Sequence, residues 1–120
     1  MKLKIERVED AGVLDKERVV FSVLANEEIG RYVVLKSKKT GETSVSSETY
    51  ATFWFPDKPA QRGDLVILYT KAGKDKSSAT QGGKYSHFFY WSKTSPIWTN
   101  SDDAVVLVNV GSWAFHFLSQ

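Results

Sequence analysis

Apolar and polar positions alternate along most of this chain, and the alternation predicts strands. In KLKIERVED, Leu3, Ile5 and Val8 sit among charges in a near-alternating pattern that suggests an edge-like first strand. Residues 17–25, ERVVFSVLA, place Val19, Phe21 and Val23 on one face, and residues 31–36, RYVVLK, oppose Tyr32 and Val34 to Val33 and Leu35. Residues 50–55, YATFWF, stop at Pro56, and DLVILYTK at 64–71 is the most strand-like segment of all. Tyr85 to Trp91 and residues 104–109 follow. In the last segment, 112–118, Trp113, Phe115 and Phe117 share one face and Ala114, His116 and Leu118 the other.

Turn residues separate these runs. They are Ala11-Gly12, the stretch from Asn26 to Gly30, Thr40-Gly41 within the polar segment 37–49, and Pro59 to Gly63. Asn109-Val110-Gly111 is expected to close a hairpin between 104–109 and 112–118. Residues 72–84, AGKDKSSATQGGK, carry nothing more apolar than alanine and are expected to form a mobile loop. The pattern amounts to about eight short strands and no amphipathic helix, which predicts an all-β sandwich or barrel. The stretch 85–110, with its aromatic run, Trp98 and a long apolar strand, reads as the centre of its core.

A length of 120 residues fits one domain, 1–120, and sixteen aromatic side chains supply much of its core. The net charge of +2 fixes no partner class. The absence of cysteine excludes disulfides and thiolate metal sites. The first residues lack a signal-peptide core, and no run reaches the length of a membrane span. A cytoplasmic protein is therefore expected, or a secreted one if a leader has been trimmed.

The C-terminal two-thirds resembles the lamin-tail domain family. Phe55-Pro56, a short loop and Gly63-Asp64-Leu65-Val66-Ile67-Leu68 are similar to that family's Phe-Pro, glycine and apolar strand. Ile97-Trp98-Thr99-Asn100-Ser101-Asp102-Asp103-Ala104-Val105-Val106-Leu107 resembles its tryptophan, small polar turn and strand, and Asn109 to Gly111 before Trp113 its closing hairpin. Asp102 stands where many relatives carry glycine, and the 72–84 segment is this chain's own. The resemblance implies an immunoglobulin-like β-sandwich that works as an interaction module, and some such domains are associated with DNA or chromatin.

The candidate chemistry is sparse. Trp98 reads as core. Trp54 faces outward if Phe53 and Phe55 are buried, where it either lies under a loop or serves as a partner-binding residue; it is kept as a candidate contact. Asn100, Ser101, Asp102 and Asp103 offer oxygens, but too few for calcium, and fit a turn whose side chains cap backbone N–H groups. His87 and His116 lack metal-ligand spacing, Glu27-Glu28 reads as a solvated turn, and no nucleophile elbow is present. No enzyme activity, metal or cofactor is expected. Between Lys58 and Lys84 six basic residues face two acidic ones, and Lys36, Lys38 and Lys39 form a second cluster. Lysine clusters of this kind most often keep a surface soluble and protect sheet edges. The expected role is a non-catalytic module that binds a protein partner or itself, with Trp54, Lys71, Lys74 and Lys76 as candidate contacts. The alternative is nucleic-acid binding through Lys36, Lys38, Lys39, Lys71, Lys74 and Lys76.

Overall fold

Seven of the eight period-two segments become strands in the computed structural model, which describes residues 1–118. In chain order the strands are β1 (Leu3–Glu9), β2 (Arg18–Val23), β3 (Glu27–Glu28), β4 (Tyr32–Gly41), β5 (Ser44–Val45), β6 (Ala51–Trp54), β7 (Pro59–Ala60), β8 (Leu65–Tyr69), β9 (Lys76–Ala79), β10 (Tyr85–Tyr90) and β11 (Asp103–Asn109). The additional strands are mostly two-residue pairings within stretches expected to be turns. Two short 3-10 turns, Ile29–Arg31 and Gln81–Gly83, are the helical content of the described residues.

The first sheet runs β1-β2-β8-β10-β9, antiparallel throughout except that β10 lies parallel to β8. The second sheet runs β11-β4-β5, with β6 also paired to β4, and β3 with β7 forms a small third one. The two main sheets face one another in a β-sandwich-like arrangement. Val19, Phe21, Val66, Leu68 and Phe89 from the first meet Tyr32 and Val34 from the second. Phe55 bridges them, edge-on to Phe21 at 5.8 Å and to Phe89 at 5.1 Å between ring centroids. Trp98 is buried in this core, in keeping with its sequence. The three-residue step from Ile5 to Val8 works because β1 shifts register between Ile5 and Arg7, and this bulge returns Val8 to the inner side.

Two expectations need correction. Residues 72–84, read as a mobile loop, contain β9, which pairs with β10 from Tyr85–Ala79 to Phe88–Lys76. The reason is topological. Parallel strands cannot be joined by a tight turn, so the chain needs a long crossover between β8 and β10, and the crossover adds its own edge strand. The second correction concerns residues 112–118, which form no strand; the hairpin with β11 is not made. Instead, Val110 N–H bonds to Arg31 O, and the chain crosses the start of β4 towards β6.

Candidate interaction surfaces

Trp54 points outward, as its neighbours dictate: Phe55 is buried, Phe53 packs against the core, and Trp54 remains 46% exposed. The strand register sets its company. Trp54, Val33 and Val108 are aligned across β6, β4 and β11, and Thr52, Leu35 and Val106 form the adjacent row. Both rows lie opposite to the inward Phe53, Val34 and Leu107, so the outer side of this sheet presents five apolar side chains and one threonine. The indole is held in place: its Nε1 donates to Gly30 O at 2.8 Å, and Trp113 meets it edge-to-face at 5.0 Å. Trp54 is thus a fixed, half-exposed indole amid aliphatic neighbours.

The six candidate lysines do not form one surface. Lys38 Nζ lies 2.6 Å from Asp103 Oδ1 and 3.4 Å from Asp102 Oδ1, and Lys36 Nζ lies 3.8 Å from Asp103 Oδ1. The hydrogen bond to Asp103 raises Lys38 above its usual pKa. Burial would raise Asp103, but Lys38, the N–H groups of Asn100 and Thr99, and the Lys36 charge outweigh it and hold the carboxyl below its usual range. Lys36 and Lys38 are thus committed to fastening β11 to β4. Lys71 and Lys76 are elsewhere, on the outer side of the first sheet: Lys71 Nζ lies 5.0 Å from the Tyr69 ring centroid and Lys76 Nζ 5.6 Å from that of Phe88. Arg18 also covers Tyr69, and Tyr69 stacks on Tyr90 at 5.5 Å. Lys39 and Lys74 are exposed.

The polar turn 99–103 caps itself, with Asp103 Oδ2 accepting from the N–H of Thr99 at 3.0 Å and of Asn100 at 2.9 Å. Among the described residues no group of three or more His, Asp or Glu side chains converges as a metal site would require. Among them, too, no helix is long and apolar enough to cross a membrane.

Two buried constellations escape a reading by pattern. Glu17 is fully buried; its carboxylate accepts from Gly12 N–H, Thr70 Oγ1, Ile97 N–H and Trp98 N–H. It thereby ties the turn after β1, the end of β8 and the Trp98 segment together. A glutamate abutting an apolar strand was the available signal, but its four partners are scattered across the chain. The second constellation joins Asp64, His87 and Ser77. His87 Nε2 lies 2.9 Å from Asp64 Oδ2, and its Nδ1 lies 2.7 Å from Ser77 Oγ. The residue types match a Ser–His–carboxylate relay, with the ring nitrogens exchanged relative to the serine-protease arrangement. Each member has a structural task, however. Asp64 also accepts from Gln61 N–H and Tyr85 N–H, while Ser77 anchors the edge strand β9 to β10. Burial would raise Asp64, yet the Gln61 N–H, His87 and Tyr85 N–H bonds together hold it below its usual pKa.

Comparison with known proteins adds no name to these surfaces: no family model matches the chain, and no curated protein matches it.

Proposed function

We propose that this chain is a non-catalytic interaction module, immunoglobulin-like in topology and akin to lamin-tail domains. It acts in the cytoplasm and contacts a protein partner, or a second copy, through the outer side of the β6-β4-β11 sheet. The observation that carries this reading is the pair of outward rows, Trp54 with Val33 and Val108, and Leu35 with Val106. A sheet with one solvated face normally alternates apolar inward with polar outward, whereas across these two rows the sheet is apolar on both sides but for Thr52. The test is photo-crosslinking in cells from a photoreactive amino acid placed at Thr52, within the patch, with exposed Asp15 as control. Crosslinks at 52 that vanish in a Trp54→Ala background support the reading. Equal yields from 52 and 15, or crosslinks indifferent to Trp54→Ala in a folded variant, overturn it.

A second reading, nucleic-acid binding, draws support from the outer side of the first sheet, where Lys71 lies over Tyr69 and Lys76 over Phe88, while Arg18, also against Tyr69, is paired with Glu9 and Asp10. Cations interleaved with aromatic rings suit single strands, whose bases stack and whose phosphates attract charge. Anisotropy of a labelled oligonucleotide at several salt concentrations decides it. Steep weakening with salt supports the reading, and no binding at low salt removes it.

A further inference from the structure

Residues 112–118 have the composition of a strand and no ladder. Trp113, Phe115 and Phe117 alternate with smaller or polar residues, and their exposures are 61%, 71% and 79%. Large aromatic side chains left this open lack a cover. Trp113 packs against Trp54 at the β6 margin of the second sheet, while Phe115 and Phe117 lean on the ring before them in their own segment, at 6.1 Å and 5.1 Å.

The other margin of the same sheet offers a complementary opening. β11 pairs with β4 along one side, and no described strand pairs with its other side; β1, at the margin of the first sheet, likewise pairs with β2 alone. Between these two open edges runs an apolar groove of about 320 Å³, lined by Met1, Leu3, Lys4, Ile5, Leu24 and Leu107. The β11 edge is seven residues long; its one inward charge, Asp103 at the first position, is paired with Lys36 and Lys38, and the run Ala104-Val105-Val106-Leu107-Val108 beyond it has neither proline nor charge to blunt it. The edge offers unpaired backbone groups and the groove offers room for rings, the two requirements of strand addition.

We propose that residues 114–118 are a donor strand that adds antiparallel to the free edge of β11 in a second copy of this chain, with Phe115 and Phe117 seated in the β1–β11 groove. This rests on the interaction-module reading and specifies one of its partners. The occupant is chosen by the chain itself. The hairpin that Asn109 to Gly111 would close is not made: Val110 N–H extends the β11–β4 ladder by one bond, to Arg31 O, and Trp113 is then latched to Trp54, so the tail leaves across β4 and not along β11. Every copy then holds one donor and one empty acceptor, and a two-fold exchange satisfies both at once in a closed dimer, as domain swapping does. The scale is adequate. Two phenylalanines per tail at about 150–250 Å² each, matched by the groove and doubled by symmetry, come to roughly 1,600 Å², the size of a stable interface.

The experiment uses the full chain in sedimentation equilibrium beside two variants. Phe115→Ser with Phe117→Ser removes the donor, and Leu24→Glu, at an exposed groove position, blocks the acceptor; circular dichroism checks that each stays folded. The expected result is a dimer for the parent, monomers for each variant alone, and partial recovery of dimer when the two variants are mixed. Because the chain has no cysteine, Val106→Cys combined with Ala114→Cys or His116→Cys reports the route. A disulfide-linked dimer supports exchange, while a crosslink within one chain means that the tail folds back on its own edge and overturns it. A monomeric parent, or a dimer unchanged by the two serines, also overturns it. Neither of those results touches the Thr52 crosslinking test, so exchange can fail while the interaction-module reading stands.

Discussion

Glu17 joins three separate segments of the chain through one buried carboxylate, for reasons that its neighbours in sequence conceal. A buried carboxylate is tolerated when its oxygens are fully used, and Glu17 meets three backbone N–H groups and one hydroxyl. Removing the acceptor strands these donors inside the protein, where each unsatisfied group costs about 1–3 kcal/mol. Glu17→Ala is therefore expected to lower stability by roughly 3–5 kcal/mol, since partial relaxation spares some of that sum. Urea unfolding followed by tryptophan fluorescence measures it. A loss below about 1 kcal/mol would show that the four donors find other partners. Trp54, by contrast, was legible from its sequence, because two phenylalanines flanking a tryptophan in a strand leave the tryptophan only the outer side.

At the scale of elements, most of the sheet was legible and two pieces were not. Residue type, length and the turn residues between them located β1, β2, β4, β6, β8, β10 and β11, since β-branched and aromatic runs bounded by Gly, Pro, Asn and Ser favour strands. β9 was missed because Lys-Ser-Ser-Ala has no preference for strand; pairing with β10 imposes the conformation, and the Ser77–His87–Asp64 chain holds it. Residues 112–118 failed in the opposite way, since a pattern states what side chains would bury and not whether an edge is within reach. Asp64 and Asp103 fasten these margins, one at β8, β9 and β10, the other between β11 and β4. Both have folded-state pKa values below the usual carboxylate range. Their contribution to stability is thus complete above that range and is lost as pH falls through the lowered values. Stability from this source should hold steady between about pH 7 and 5 and decline below about pH 4. Hydrogen exchange should show β9 and the 99–103 turn opening first. Asp64→Asn with Asp103→Asn should flatten the acid decline, and an unchanged decline would place the sensitive groups elsewhere.

Over the whole molecule, charge and apolar surface are sorted between the two sheets. The outer side of the first carries cations over aromatic rings, while that of the second is apolar around Trp54, and its margin-side lysines are consumed by Asp102 and Asp103. Counting lysines along the chain could not make that distinction, because Lys36 and Lys38 meet carboxylates more than sixty residues away. The two groups should respond differently to substitution. Lys36→Ala with Lys38→Ala leaves the Asp103 carboxylate without its cations, and should lower the thermal midpoint at pH 7 while shrinking the acid decline, because the folded-state pKa of Asp103 returns toward its unfolded value. Lys71→Ala with Lys76→Ala removes cations that rest on rings, and should leave the midpoint within about 2–4 °C, as expected for surface changes of around half a kcal/mol. If the chain binds single strands, the second pair and not the first should lower affinity and reduce the salt slope, by about 0.7 for each phosphate no longer neutralised. Thermal melts at pH 7 and 4, run beside the oligonucleotide titration, measure both effects on the same preparations. Equal stability losses from the two pairs would mean that Lys71 and Lys76 are as structural as Lys36 and Lys38, and would leave the first sheet without a free basic face.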